Sequence, residues 1–363
     1  MMQRSVLSLA MLVSVAGFIL NYYALQPPEP KPASVSQNEF SAERAFDLLA
    51  RLLGDESPHP VGSAENVRVK QEILAWLEEQ QIAATVQETW GCSHWGSRCA
   101  WVENIIAILP GQRAGPYLAL MAHYDSVPPA AGAGDDGAGL AAVLEAARLL
   151  KASGSTQYPV MLIITDAEEA GLLGAEAFFK QHELRQQVAA VINVEGSGSS
   201  GLSQIIRSYG DNSDLLEAYS SSTDSPSGMS LIDEIFKRMP NDTDFSVSMR
   251  AKVPGLDFAF AGESNHYHTP LDSLVNLDLS TLQHHGDNLW PLIRNLANND
   301  IENWTPGTRV YGALYGWWME WPISWNLPLL LLAGVLMVLA LVRVSFSRMH
   351  LLGTVLILPF VLA

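Results

Sequence analysis

A chain of 363 residues has room for one large domain of roughly 250 residues and further segments at its ends. Its formal net charge of −17 excludes a basic nucleic-acid-binding surface and weakly favours a substrate with a cationic end. Two cysteines, Cys92 and Cys99, cannot build a four-ligand zinc ribbon; in an exported domain they predict a small disulfide-closed loop.

Residues 5–25 are an apolar run preceded by Arg4, long enough for the ~30 Å hydrocarbon layer of a membrane. Asn21, Tyr22 and Tyr23 stand where a cleaved signal would carry small residues, so residues 1–25 read as a retained transmembrane anchor. Residues 26–40 are Pro-rich and polar, a semi-rigid tether.

A folded domain is predicted over residues 41–300. It opens with a helix over 41–53, and a second helix capped by Ser63 runs to residue 80, with Val67, Ile73, Leu74 and Leu77 on its buried stripe. His59 lies in the turn between them and is read as outside any site. Strands follow over 82–88, 102–109 and 117–122, the last nearly all apolar and so placed centrally in a sheet covered on both faces. A helix over 137–151, a strand over 160–165, a helix over 172–181 and a strand over 188–194 continue the alternation. A strand over 204–208 and a helix over 214–221 precede residues 223–249, a polar, irregular stretch of the kind that lines a cleft. A short strand over 256–260 and a closing helix over 279–297 complete an α/β domain. His284 and His285 lie on that helix and are read as solvated.

Residues 301–322 are an aromatic juxtamembrane segment, with Tyr315, Trp317, Trp318 and Trp321 resembling an interfacial belt. Residues 323–343 can span a membrane, and Arg343, Arg348 and His350 follow. Arginines before the first span and after the second predict that the domain lies on the exoplasmic face, the periplasm of a bacterium or a eukaryotic lumen. Residues 344–363 read as the start of a further apolar segment, so a natural protein continuing into more membrane helices is expected.

The chemistry lies where strands end. The 117–122 strand delivers His123 and Asp125, whose i, i+2 spacing puts both on one side, so the carboxylate can orient the imidazole. Asp135 and Asp136 precede a helix; one suffices as a cap, leaving the other free to bridge two metals. Glu168 and Glu169 follow the next strand, either as first-turn acids favoured by the helix dipole or as a general base beside a ligand. Glu195 ends the following strand, and His268 is a late imidazole with His266 as its competitor. Ligands gathered beyond strand carboxyl ends suit an α/β sheet. The pair His182 and Glu183 lacks the second histidine of a helical zinc-protease motif and is set aside.

In order, the strings Ala-His-Tyr-Asp-Ser, Gly-Ala-Gly-Asp-Asp-Gly-Ala-Gly, Glu-Glu-Ala-Gly-Leu-Leu-Gly, Asn-Val-Glu-Gly and Tyr-His-Thr-Pro-Leu-Asp resemble the co-catalytic zinc exopeptidases of peptidase family M28. The resemblance covers residues 40–297 and is nearest the membrane-anchored branch, through Pro240-Asn-Asp-Thr-Asp-Phe245 and Pro254-Gly-Leu-Asp-Phe-Ala259. It implies a three-layer α/β/α sandwich around a mixed, largely parallel sheet, acting on peptides. It also implies two zinc ions per chain, one on His123 and Glu195, the other on Glu169 and His268, with Asp135 bridging. Glu168 becomes the general base and Asp125 the orienting carboxylate. Many soluble members carry Asp where Glu195 stands; the longer side chain still offers an oxygen ligand. Assigning the bridge to Asp135 rather than Asp136 rests on aligning Gly-Ala-x-Asp.

An aminopeptidase is the leading expectation. A glutaminyl-cyclase-like acyltransferase on the same fold, generally a one-zinc enzyme, is the rival, although Glu-Glu-Ala-Gly-Leu-Leu-Gly resembles the peptidases. A non-catalytic ectodomain is the third reading, and it would be expected to have lost a ligand or the base; none is lost here.

Overall fold

A computed structural model describes residues 2–94 and 96–343; the apolar segment expected over 344–363 lies outside the described residues. Two compact units divide between Glu320 and Trp321.

In the first unit, helix α1 spans Met2–Ala24 and α2 spans Ala42–Leu53, the latter capped by Ser41, whose hydroxyl accepts from Arg44 N. Ser63 caps α3, Ala64–Glu79, in the same way through Asn66 N. The buried face of α3 is rotated from the predicted stripe: Val67 is exposed, while Asn66 and Lys70 point inward. Polar partners explain the rotation. Asn66 Nδ2 donates to Asp166 Oδ1 at 3.1 Å, and Lys70 pairs with Glu103, so these side chains are buried with their hydrogen bonds satisfied.

Strands β1, Ala83–Cys92, and β2, Cys99–Leu109, form a longer hairpin than expected, and its register sets Cys92 opposite Cys99, which are disulfide-bonded. Then come β3, Tyr117–His123; α4, Gly139–Ser153; β4, Val160–Thr165; α5, Leu173–Gln181; β5, Val188–Gly196; β6, Gln204–Tyr209; and α6, Ser213–Ser222. The stretch expected to be irregular holds two short helices, α7, Ser230–Phe236, and α8, Phe245–Arg250. Phe245 and Val247 of α8 are buried, but one or two apolar residues in so short a helix leave no readable period. Strand β7, Gly255–Phe260, and helix α9, Leu279–Asn298, follow.

Seven strands lie in the order β1-β2-β4-β3-β5-β7-β6, with β4, β3, β5 and β7 parallel and the outer strands antiparallel. Residues of β3 alternate between faces: Leu118, Leu120 and Ala122 join the core beneath α2, α4 and α9, while Ala119 and Met121 join the core beneath α5 and α8. Both faces are covered, which is why β3 and β4 read as continuous apolar runs. The result is a three-layer α/β/α sandwich.

His284 and His285 are buried, not solvated. Helix α9 packs against α2, α4 and α6, so its buried face is broad enough to include Thr281, Leu282 and Gln283 as well. Ser203 N donates to His284 Nδ1 at 3.0 Å, and His285 Nδ1 lies 2.5 Å from Ser203 Oγ. Within the segment expected as an aromatic belt, β8, Arg309–Leu314, pairs with β9, Trp317–Pro322. Trp318 stacks on Tyr311 there, and Trp317 remains exposed. In the second unit, α10 is Asn326–Arg343, and Ile323–Ala340 is apolar and long enough to cross a membrane.

Closing a hairpin this short by a disulfide contributes about 2 kcal/mol in the chain-entropy account. The double variant Cys92→Ser/Cys99→Ser is expected to lose that amount in denaturant unfolding. An unchanged midpoint would mean that strand pairing alone holds the hairpin end.

Candidate metal centre

The four parallel strands present their carboxyl ends along one edge of the sheet, where a doubly covered α/β fold gathers its ligands. His123 is the last residue of β3, Glu168 and Glu169 follow β4, Glu195 lies near the end of β5, and His268 follows β7. Asp135 comes from the loop before α4. That loop lies against the end of β5 so closely that a Cβ on Gly134 would sit 2.1 Å from Gly198 O. Only glycine permits this approach. Ala167 and His268 are held at φ +59° and +57°, left-handed conformations that concentrate at functional sites.

Asp135 stands between the two imidazoles. Its Oδ1 is 3.2 Å from His123 Nε2 and its Oδ2 is 3.0 Å from His268 Nε2. Glu195 Oε2 lies 3.6 Å from His123 Nε2, and Glu169 Oε2 lies 3.1 Å from His268 Nε2. Two triads therefore share Asp135: His123–Asp135–Glu195 and Asp135–Glu169–His268, each with donor atoms within 4.8 Å of one another. Glu168 lies beside them, grouped with His123 and Glu169.

This donor set fits divalent cations. Asp135 Oδ2, Glu169 Oε1 and His268 Nε2 are buried without a hydrogen-bond partner. The short approach of His268 to Asp135 has ion-pair distance but not hydrogen-bond geometry. Orphaned buried polar atoms cost about 1–3 kcal/mol each, and a cation coordinated there would satisfy all three. Imidazole nitrogen with carboxylate oxygen is a set that suits zinc.

The charges point the same way. Asp125, Asp135, Asp136, Glu168, Glu169 and Glu195 crowd two imidazoles, and all but Glu169 are buried. Burial, reinforced by neighbouring carboxylates, pushes Glu168 and Glu195 well above the usual carboxylate range. Burial followed by Asp135 raises Glu169 to about 7. Burial would raise Asp135 too, but His123 and His268 outweigh it and hold it low. His268 is lowered by burial, yet Asp135 and Glu169 lift it to about 10.

Asp125 reaches His123 through its backbone oxygen as well as its carboxylate. The closest partner of His123 Nδ1 is the Asp125 backbone oxygen at 2.9 Å, with Oδ1 at 3.4 Å. Its carboxylate accepts from Glu168 N at 2.9 Å and Glu169 N at 3.3 Å. Asp136 accepts from Gly139 N at 3.1 Å, capping the helix start, and from His123 N at 3.3 Å. The two adjacent aspartates thus have separate tasks.

Sequence reasoning missed two supporting residues that stand inside its own motif strings. Asp272 accepts from Gly134 N at 2.5 Å and Asp135 N at 3.3 Å, and Asn193 Nδ2 donates to Glu195 Oε1 at 3.3 Å. Their spacing before Glu195 and after His268 was the available signal. Other histidines stay outside the triads: His59 N donates to Ser126 Oγ, His266 Nδ1 meets Ser199 Oγ at 2.7 Å, and His182 stacks on Phe178. A cleft of about 810 Å³ opens over Glu168, Glu169 and His268, walled by Arg98, Asn241, Arg250 and Tyr267 among others.

Residues 104–293 match the model of peptidase family M28. The chain is 30% identical over 284 residues to endoplasmic reticulum metallopeptidase 1 of Mus musculus, covering 73% of this chain and 32% of that protein. It is 29% identical over 340 residues to the vacuolar membrane protease of Schizosaccharomyces pombe, covering 88% of this chain and 39% of that one. It thus spans between about a third and two-fifths of the length of these relatives. Among solved structures, its fold is similar to Porphyromonas gingivalis glutaminyl cyclase, with TM-score 0.57, 20% identity, and 70% of this chain and 98% of that chain covered. A zinc aminopeptidase from Bacillus subtilis gives TM-score 0.57 at 16% identity, covering 70% and 95%.

Asp135→Asn is expected to abolish tight metal retention after dialysis, because both triads lose their common anion. Asp136→Asn is expected to keep it, since its oxygens serve backbone N–H groups. Elemental analysis of the two purified variants checks this; equal retention would mean that the bridge is not Asp135.

Proposed function

We propose, for a chain that belongs to peptidase family M28, a membrane-anchored zinc aminopeptidase. The position of Asp135 between two imidazoles, each with its own carboxylate, carries the reading. His123 and Glu195 would hold one zinc ion, Glu169 and His268 a second, and Asp135 both.

Bound zinc supplies Lewis acidity, polarising a carbonyl and lowering the pKa of water towards about 7. The protein's own groups do the rest. Glu168 lies outside the two triads but beside them, and burial raises its pKa, the direction that suits a general base. It accepts the proton of the attacking water and returns it to the departing amine. Asp125 fixes the backbone at Glu168 and Glu169 while its carbonyl turns His123 so that Nε2 faces the centre. Tyr267 stacks on the His268 ring, with centroids 3.7 Å apart, and holds its plane. An α-ammonium group is drawn to the carboxylate-rich floor, which favours cleavage at the amino end.

The full-length relatives' names place them at the endoplasmic reticulum and the vacuolar membrane. With the apolar 323–340 helix, those names favour a membrane protein, and on this reading residues 1–25 are an anchor, 26–40 its tether, 41–300 the peptidase domain and 323–343 a second span, with the active centre on the exoplasmic side. Acyl transfer of the glutaminyl-cyclase kind shares the fold; a complete donor set for two ions favours the peptidase.

Glu168→Gln is expected to keep two zinc ions per chain and lose about 10²–10⁴-fold in kcat, while His268→Ala keeps one ion. Metal analysis and hydrolysis of amino-free against amino-blocked peptides test the scheme. Near-wild-type turnover by Glu168→Gln overturns the base, and a single ion in the unmodified protein with glutaminyl cyclisation favours the rival.

A further inference from the structure

The cleft above the centre has an acidic floor, Glu168 and Glu169, and an acidic side chain at one wall, Asp242. Two arginines also line it, and they are in different states. Arg250 Nη2 is 2.7 Å from Glu176 Oε1, a buried carboxylate that Lys180 also reaches at 2.8 Å. Its charge is engaged. Asp242 is likewise engaged, by Arg207 at 3.2 Å. The Arg98 guanidinium, by contrast, has no ion pair or hydrogen bond among the described residues.

The backbone that carries Arg98 is fixed. Ser93 N donates to Arg98 O at 2.9 Å, Arg98 N donates to Ser93 Oγ at 3.3 Å, and the Cys92–Cys99 disulfide closes the hairpin at the next pair. The side chain runs beside the turn in which Gly171 N donates to Glu168 O; its Cδ is 3.9 Å from the point a Cβ on Gly171 would take. An exposed cation therefore stands on the wall of the cleft, next to the residues of the centre, with no partner for its forked donors among the described residues. Guanidinium is the side chain best matched to a carboxylate, which it can engage through two parallel hydrogen bonds.

We propose that Arg98 binds a carboxylate of the substrate, so that the preferred substrates are short dipolar peptides. Their amine lies over the acidic floor and their carboxylate meets Arg98. The carboxylate comes either from the free carboxyl terminus or from an acidic side chain, and both use the same contact. This inference rests on the peptidase reading above and narrows it.

The test compares kcat/KM of the zinc-loaded protein on two matched sets of amino-free peptides. One set differs only in a free against an amidated carboxyl end; the other, amidated throughout, differs in an acidic against an isosteric amide side chain. The carboxylate member of at least one set is expected to be favoured about tenfold, and the set that responds identifies the source. Arg98→Gln is expected to bring that ratio close to one through KM, leaving kcat on the amidated neutral peptide as it was, and Arg98→Lys recovers part of the ratio. A ratio near one in the unmodified protein, or one that Arg98→Gln does not change, overturns the proposal while leaving the peptidase reading intact. If no peptide is hydrolysed, the peptidase reading fails, and calorimetric binding of the same pairs to the unmodified and Arg98→Gln proteins decides this one. A carboxylate preference lost in the variant upholds the contact, and equal affinities refute it.

Discussion

Asp125 ties the two halves of the centre together. Its backbone oxygen accepts a hydrogen bond from His123 Nδ1, which leaves Nε2 directed at Asp135. Its carboxylate at the same time accepts the backbone N–H groups of Glu168 and Glu169. One residue thus couples the end of β3 to the turn after β4, and the parallel pairing of those strands, which sets His123 beside Thr165, makes the reach possible. Without that pairing the carboxylate would have no N–H groups to hold, and the second triad would have no fixed Glu169.

Burying so many carboxylates together is unfavourable unless cations join them, because desolvation and mutual repulsion both oppose ionisation. The protein accepts this arrangement by surrounding the centre with groups that fix it. Asp272 holds the Gly134–Asp135 backbone, Asn193 holds Glu195, and Asp257 holds Asn193 at 2.8 Å while Arg207 balances Asp257 at 2.8 Å. The chain of contacts runs from the edge strand β6 inward to Oε1 of Glu195. A cation bound among these groups would therefore be linked to the order of this sheet edge, as in any site whose ligands repel one another before the cation arrives.

What was legible in the sequence was what has a period or a position. The apolar strands 117–122, 160–165 and 188–194 stood out because both their faces are covered, and the acids after them stood out because they interrupt apolar runs. The six residues expected as ligands and base cluster together, with Asp135 and not Asp136 between the imidazoles. What was not legible depends on tertiary partners. Val67 looks as apolar as any stripe residue, but Asn66 and Lys70 turn inward because Asp166 and Glu103 await them. His284 and His285 look polar, but a helix packed against three others buries them. The 309–322 hairpin was hidden because tryptophans suit a strand, a core and a membrane interface equally well.

The sandwich also separates two kinds of sequence constraint. Every residue of the two triads is placed at the ends of the parallel strands or in the loops beside them, where a change of register or of Gly134 disturbs all of them together. The cleft walls come from elsewhere: from the antiparallel β1–β2 hairpin, whose far end is closed by a disulfide and lies against α5, where a Cβ on Gly91 would sit 2.3 Å from Leu173 O, and from the segment leading into α8. Side chains such as Arg98 and Asn241 reach the cleft from these walls without touching either triad. On the proposed reading, substitution there would alter what the cleft accepts while the backbone that holds the two triads keeps its hydrogen bonds. On the proposed reading, reaction chemistry belongs to the parallel sheet, and substrate choice belongs to the hairpin and the loops around it.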